Sequence, residues 1–308
     1  MELTNAIKTS RKAVQIALTG PCVCLLYGIS SVSAAPLLGD RLDSFTVLGA
    51  STVTNVPTSE IVGNVGVWSG SSITGFNSAP GVAVSDPQVT GGLVHATTPE
   101  AESAQGQLTT ARTNLSSLGV GTLLPADLAG LTLSPGVYTV PAGTTNLSGS
   151  MTLDGEGNVS AGWIFQMPGT LITSPDSVVD IINTGDGAGV FWNVGSSATI
   201  DVNTDFLGNI LALESITFNT FATNLCGRAL AATGAVTLDQ NSLAGTCEGM
   251  FSGTGGLSGG LDVTSGDDGV DVVSVLSPAP VKVPEPGTLG LLSAGLLVIA
   301  GLRRRRQS

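Results

Sequence analysis

Three aspartates close short apolar segments and have the side-chain type needed for acid–base catalysis: Asp154, Asp201 and Asp239. A glycosidase needs two carboxyl groups roughly 5 to 9.5 Å apart, and neighbouring strands can supply that separation. These aspartates, however, would lie on a flat face rather than in a cleft. We therefore predict that the chain is not an enzyme, and a glycosidase or polysaccharide lyase built on this row is the weaker alternative.

The other reactive side chains indicate no catalytic triad, metal site or cofactor. His95 is the only histidine, so a catalytic triad would have to use it, and we expect it instead in a loop near a helix start. The glycine cluster at residues 253–260 neither follows a clear strand nor opens a helix, so it does not fit a phosphate-binding loop. We expect neither a cofactor nor a bound metal ion.

A triplet of threonine, an apolar residue and usually a polar residue recurs along the chain. Most of the steps between its threonines are close to about 20 residues, the length of one coil of a solenoid, and one step is longer. Because side chains alternate along a strand, the flanking residues would face outward and stack on the next coil at about 4.8 Å. The triplets begin at Thr152, Thr170, Thr199, Thr217 and Thr237.

This threonine row has two interpretations. Threonine is common at exposed strand positions for steric reasons alone, because its branched side chain fits a pleated surface. A flat, regular array of methyl and hydroxyl groups could instead order water in a lattice-like way, with no charge required. Asp201 and Asp239 flank the row and would hold ordinary hydration shells.

Short strands and one helix must position this row. The 42 glycines, the 11% of charged residues and alternations such as those at residues 45–48 and 136–140 indicate many short strands and tight turns. Thr98 suits a helix N-cap and Pro99 the first helical position. Apolar residues at helical spacing then predict a helix over residues 99–118, whose narrow apolar stripe must lie against another element.

The amino-terminal residues 1–34 have the organisation of a secretory signal. Basic residues precede an apolar run at residues 13–27, and small residues lie before a cleavage site after Ala34. A membrane anchor is the weaker alternative, because Thr19, Gly20 and Pro21 interrupt the apolar run.

The carboxy-terminal residues 283–308 contain Pro284, Glu285 and Pro286, then an apolar run at residues 287–302, then four arginines. This order resembles the PEP-CTERM sorting signals of Gram-negative bacteria. The resemblance implies an exosortase-type sorting enzyme as a partner, a membrane contact that is only transient and made by a short transmembrane segment, and a secreted or cell-surface location. Residues 252–282, rich in Gly, Ser and Asp, predict a flexible linker.

Charge and cysteine content limit the partners further. Seven of the 11 basic residues lie in the two ends, which leaves four against 21 acidic residues and a net charge near −17 between them. Such a surface repels phosphate backbones, so we expect no nucleic-acid partner. Cys22 and Cys24 lie in the signal, whereas Cys226 and Cys247 are about one coil apart and each ends a coil, so we predict a disulfide between them.

Several stretches also resemble the microbial ice-binding proteins, whose right-handed β-helix is assembled discontinuously and buttressed by one long helix. They are residues 45–55, the helix after Thr98, and residues 163–166, 194–199, 208–212 and 227–231. The fold we predict is all-β: a right-handed, three-faced β-helix over residues 35–251 with one long α-helix packed alongside.

In that family the ice-binding face is a flat row often written Thr, then Ala or Gly, any residue, then Thr or Asn. The nearest match is residues 220–223, where Phe221 replaces the small residue. We therefore expect an antifreeze or ice-recrystallisation-inhibiting protein, with a non-ice-binding structural or adhesive matrix protein as the alternative. The expected ice-contact residues are Thr152, Thr170, Thr199, Thr217, Asn219, Thr237, Thr220 and Thr223.

Overall fold

The computed structural model describes residues 37–141, 143–248, 252–265 and 271–276. Strands dominate these residues, and the helices among them are α1 (Gly39–Asp43) and α2 (Pro99–Ser117). The predicted signal at residues 1–34 and the sorting tail at residues 283–308 lie outside the described residues. No helix within the described ranges is long and apolar enough to cross a membrane.

A ladder of parallel strands packs against helix α2, and we call it the helix-side ladder. A short antiparallel strand, β6 (Ala83–Val84), pairs with its first strand. The parallel strands of the helix-side ladder follow the order β8 (Val94–Ala96), β4 (Asn64–Val67), β1 (Phe45–Gly49), β21 (Thr223–Ala231), β19 (Asp205–Ala212), β17 (Gly189–Val194), β14 (Gly162–Met167), β11 (Gly136–Thr139) and β9 (Thr122–Leu123).

A second sheet contains seven parallel strands, and we call it the seven-stranded ladder. Its order is β12 (Thr144–Leu147), β15 (Thr170–Thr173), β18 (Ala198–Ile200), β20 (Ile216–Phe218), β22 (Val236–Asp239), β2 (Thr52–Val56) and β5 (Ser72–Thr74).

A further set of parallel pairs, the side ladder, branches from the helix-side ladder through strands β19 and β21. The pairing of these two long strands has an irregularity between Phe206 and Gly208, so each contributes to both ladders. The other members are β10 (Thr132–Leu133), β13 (Ser150–Asp154), β16 (Val178–Ile182), β23 (Ser242–Ala244), β3 (Glu60–Val62) and β7 (Val89–Thr90).

The first coil of the chain stacks on the last. Strand β1 pairs with β21 through Val47 opposite Ala229 and Leu48 opposite Leu230. Strands β2 and β3 pair in the same way with β22 and β23. The coils are therefore assembled out of sequence order, as the resemblance implies.

Aromatic side chains fill part of the interior of the coils. The rings of Phe165 and Trp192 are stacked with centroids 4.1 Å apart, and Tyr138 and Phe206 extend the stack on either side. The indole of Trp192 donates to Leu207 O at 2.9 Å, so its one polar atom is satisfied inside the core. This stack makes the β-rich body a solid core rather than a hollow tube.

Helix α2 begins and packs as the sequence predicts. The Thr98 hydroxyl accepts the Ala101 backbone N–H, and Leu118 follows the last helical residue as its C-cap. Leu108 and Leu115 are fully buried in one apolar cluster with residues of the helix-side ladder such as Leu211. Burial of this stripe keeps the helix on the ladder.

Part of the segment expected to be a linker is folded. Strands β24 (Leu261–Ser265) and β25 (Asp271–Val275) form an antiparallel hairpin. Leu257 is fully buried, and its carbonyl accepts the Val190 backbone N–H at 2.9 Å. The described residues between 252 and 276 are therefore docked on the coils, contrary to the expectation of a flexible linker.

Candidate functional site

Five threonines lie in register on the outer side of the seven-stranded ladder. Thr199 pairs with Thr217, which pairs with Thr237, and the same row continues through strands β2 and β5. Neighbouring strands lie about 4.8 Å apart, so the side chains repeat at that spacing. We call this row the threonine column: Thr199, Thr217, Thr237, Thr54 and Thr74.

The hydroxyl groups of the threonine column have no hydrogen-bond partner within the described part of the chain. Thr74 is exposed and the other four are half-buried. The adjacent residues Ile200, Phe218 and Leu238 are fully buried, so the strands beneath the column rest on packed core. The column therefore presents methyl groups and unpaired hydroxyls to water, without a charged group of its own.

The column changes character at strand β15. Ile172 lies opposite Thr199 and is 40% exposed, and Asn146 follows on strand β12. An apolar side chain thus interrupts the row of hydroxyls at that end.

Polar residues flank the column on both sides and bind one another. On one side the Thr170 hydroxyl donates to that of Thr144 at 3.2 Å. On the other side Asn219 Nδ2 donates to Asp201 Oδ1 at 2.7 Å. The Thr220 hydroxyl likewise donates to an oxygen of Asp239 at 2.5 Å. These groups are partly satisfied within the protein, unlike the hydroxyls of the column.

The structure separates several of the expected site residues from the column. Thr152 lies on the side ladder, where it pairs with Thr132 and Asp180. Thr223 is also on the side ladder, and its hydroxyl donates to Asp205 at 3.0 Å. The expectation that all eight residues share one face is therefore corrected.

Thr170 lies on the expected ladder but two residues away from the expected register. Leu171 pairs with Ala198, so Ile172, and not Thr170, is opposite Thr199. The longer step before Thr199 includes a loop whose length the repeat did not reveal. Aligning triplets by their first threonine consequently misplaces this strand.

Thr54 and Thr74 are the members of the column that the sequence analysis missed. They lie before the helix, in coils that join the row only because strand β2 pairs with β22. The alternations Thr52-Val53-Thr54 and Ser72-Ile73-Thr74 were the available signal, since each has one inward and two outward positions.

On the side of the threonine column where Asp201 lies, the chain turns a corner after each strand, and one residue at each corner has a left-handed backbone conformation. The residues at equivalent corners are Asp176, Asn203, Phe221 and Gln240, with φ between 55° and 62°. Asp and Asn tolerate this region, whereas a bulky residue rarely adopts it. Phe221 does so with 58% of its surface exposed, which places an aromatic ring at the edge of the ladder where the family motif has a small residue.

The three aspartates do not form one catalytic row. Asp154 lies on the side ladder, whereas Asp201 follows strand β18 and Asp239 ends strand β22, and strand β20 lies between those two strands. Hydrogen bonds from the Glu156 backbone N–H and from Asn183 lower the pKa of Asp154. A general acid needs a raised pKa, so the geometry gives the hydrolase alternative no support.

The two cysteines form the predicted disulfide. Cys226 and Cys247 are bonded, with their Cα atoms 4.5 Å apart. Cys226 belongs to strand β21 and Cys247 follows strand β23, and these strands pair. The bond therefore ties two neighbouring coils, as their matching positions indicated.

His95 is buried in strand β8, close to the start of helix α2, rather than in a loop. Its Nδ1 lies 3.1 Å from the Thr98 hydroxyl, and its ring meets Phe45 edge-on. Burial lowers the pKa of His95, with Glu100 opposing that effect. Within the described ranges, no group of three or more His, Cys, Asp or Glu residues is arranged to hold a metal ion.

Comparisons with known proteins match both the body and the tail of the sequence. The family described as ice-binding-like matches residues 47–244, and the PEP-CTERM protein-sorting motif matches residues 282–306. An ice-binding protein of Nostoc sp. (strain HG1) is 42% identical over 205 residues, which cover 66% of this chain and 72% of that protein.

Solved structures agree with this match. An ice-binding protein from an Antarctic biological consortium is 33% identical with a TM-score of 0.59, covering 68% of this chain and 91% of that one. An ice-binding protein from the Antarctic ascomycete Antarctomyces psychrotrophicus is 32% identical with a TM-score of 0.61, and the match covers 70% of this chain and 100% of that one.

Proposed function

The chain belongs to the ice-binding-like family, and from that premise we propose that it is an ice-binding protein whose contact surface is the threonine column. One observation carries the proposal: five threonines stand in register on adjacent parallel strands, and none of their hydroxyls has a partner among the described residues. Antifreeze activity and inhibition of ice recrystallisation follow from adsorption to a growing crystal.

The physical argument is preorganisation. Threonine is stiff at χ1 because it is branched at Cβ, and each strand below the column is fixed by buried residues. Binding therefore costs little side-chain entropy, and the array can match an ordered lattice of water. Charged groups would hold their own hydration shells instead, and the column contains none.

The finer architecture supports a flat face. We infer that the three ladders are the three faces of one right-handed β-helix, because connections between parallel strands are right-handed in about 98% of cases. The seven-stranded ladder would then be one complete face, with the threonine column along its middle.

A matched pair of variants tests the proposal. Thr217→Tyr places a ring in the middle of the column, and Thr152→Tyr places the same ring on the side ladder. Both side chains are half-buried and face outward from their strands, so each ring can extend into solvent and both variants should fold. We expect Thr217→Tyr to abolish crystal shaping and thermal hysteresis, and Thr152→Tyr to retain both.

The reverse result would place the ice-contact surface on another ladder. If both variants kept full activity, neither position would belong to the ice-contact surface. Absence of crystal shaping in the parent protein would favour a structural or adhesive matrix role.

We also propose that the protein is exported and displayed or released outside a Gram-negative cell, with no catalytic role and no nucleic-acid partner. The match to the sorting motif supports an exosortase-type enzyme that cuts near Pro284, Glu285 and Pro286, after transient membrane contact by the tail. Mass spectrometry of the exported protein tests this. The expected mature form lacks residues 1–34 and the four terminal arginines, and intact tails in the extracellular fraction would contradict the proposal.

A further inference from the structure

A groove separates helix α2 from the corners of three adjacent coils. It is a shallow groove, widely open to solvent, with a volume of about 790 Å³. One wall is the helix face that carries Glu102, Gln105 and Gly106. The other wall is formed by the residues that follow strands β1, β4 and β21, among them Ser51 and Trp68.

The groove contains an aromatic side chain with an unused polar atom. Trp68 is half-buried, and its indole N–H has no partner within the described part of the chain. Trp163 and Trp192 are fully buried, and each donates its indole N–H to a carbonyl of the core. Part of the Trp68 ring packs against the apolar cluster beneath helix α2, and its exposed part leaves a free N–H donor, a combination that is common at recognition surfaces.

Other unpaired polar groups converge on the same groove. The carboxylate of Glu102 and the hydroxyls of Ser51 and Ser69 have no hydrogen-bond partner among the described residues. Gln105 is held in place by its Nε2, which donates to Ala231 O at 3.1 Å, and its Oε1 is unpaired within the same ranges. The groove thus offers acceptors, hydroxyls and one N–H beside an aromatic surface.

We propose that this groove binds a neutral saccharide. Sugar hydroxyls both donate and accept, which suits the mixed set of free groups, and the C–H face of a sugar ring packs on an indole. The one ionisable group in the lining is Glu102, and the chain has an excess of acidic residues, so an anionic sugar would be repelled.

A peptide fits this groove less well. Peptides often bind by pairing with an unpaired strand edge. The corner backbone is already used, because the Ser51 N–H donates to Gly234 O and the Trp68 N–H donates to Gly49 O. Recognition therefore falls to side chains.

Tryptophan fluorescence provides a direct assay, because Trp68 is the accessible one of the three tryptophans in the chain. We would titrate the exported protein with cellotetraose and maltotetraose, using tetragalacturonate and tetraglycine as controls. Saturable changes with at least one neutral tetrasaccharide are expected. No change with either at millimolar concentration, or equal binding of tetraglycine, would overturn the proposal.

Gly106 allows the groove to be filled without disturbing the fold. A Cβ added there meets nothing within 4 Å, and leucine is a better helix former than glycine. Gly106→Leu should weaken saccharide binding at least tenfold, whereas Ser103→Leu, on an exposed position of the same helix outside the lining, should not. Equal binding in all three proteins would exclude the groove.

A second pair of variants tests the acceptor role. Glu102→Gln should weaken binding while Glu100→Gln, in the same first turn of the helix, leaves it unchanged. Crystal shaping should persist in every one of these variants, because none lies on the threonine column. Loss of saccharide binding with retained ice activity separates this site from the proposed function.

Discussion

Arg228 in strand β21 forms a 2.9 Å ion pair with Asp43, the last residue of helix α1, which precedes the first coil of the chain. Its guanidinium is 1% exposed and also donates to Asn209 and to the carbonyls of Gly255 and Gly256. One buried cation therefore joins the first helix, two coil strands and the segment that precedes the hairpin.

Arg228→Met should lower the free energy of unfolding by about 3 kcal/mol, because it leaves several buried acceptors without a donor. Urea unfolding measures the loss. Arg228→Lys should recover only part of it, since an ammonium group cannot reproduce the guanidinium fork. Stability equal to that of the parent protein in Arg228→Met would show that the hairpin docks without this residue.

Removal of the disulfide should also destabilise the fold. The two cysteines are separated by 21 positions, and for a loop of that size the chain-entropy model predicts about 3 kcal/mol. A Cys226→Ser/Cys247→Ser variant should show that decrease in thermal or urea unfolding, while crystal shaping at low temperature persists. Two thiols that react in the exported parent protein before reduction would contradict the bond.

Ile172→Thr should strengthen ice binding. Ile172 interrupts the hydroxyl row opposite Thr199, and a threonine there would extend the column by one strand. The position is 40% exposed, so the substitution should change the free energy of unfolding by within about 0.5 kcal/mol. Thermal hysteresis at matched concentration is the measurement, with Ile182→Thr on the side ladder as control. Equal gains in both variants would argue against the column.

Stability should decrease as the pH falls through about 6.5. Burial lowers the pKa of His95 in the folded protein, so below the unfolded value of 6.5 the unfolded chain binds a proton that the folded chain does not. Urea midpoints measured from about pH 8 to about pH 5.5 should show this slope. His95→Gln should flatten it, because the chain has no other histidine. An unchanged slope would assign the titration to another group.

The solenoid and its helix could be predicted because their signals are local. The N-cap Thr98 and the apolar stripe define helix α2, and repeats of nearly equal length define neighbouring coils. The docking of residues 252–265 could not be predicted, since glycine-rich composition indicates a linker. This segment is held on the coils by residues that are distant in sequence; for example, Arg228 and Asn209 both donate hydrogen bonds to the Gly256 carbonyl.

The same distinction applies to the candidate site. Thr199, Thr217 and Thr237 belong to consecutive coils of nearly equal length, so their register follows from the spacing. Thr170 precedes a longer coil, and no spacing rule gives the length of its loop. Thr54 joins the column through the pairing of β2 with β22, which no local pattern contains.

The out-of-order stacking of coils imposes an order on folding. Strands β1, β2 and β3 can pair early with β4, β5 and β7, but their other edges have no partner until β21, β22 and β23 have been synthesised, and β21 begins only at Thr223. Pairing over such a separation is slow, and unpaired strand edges are prone to aggregate in the interval. The amino-terminal coils therefore depend on the last ones for their closure, and a chain shortened before residue 223 would keep that edge open.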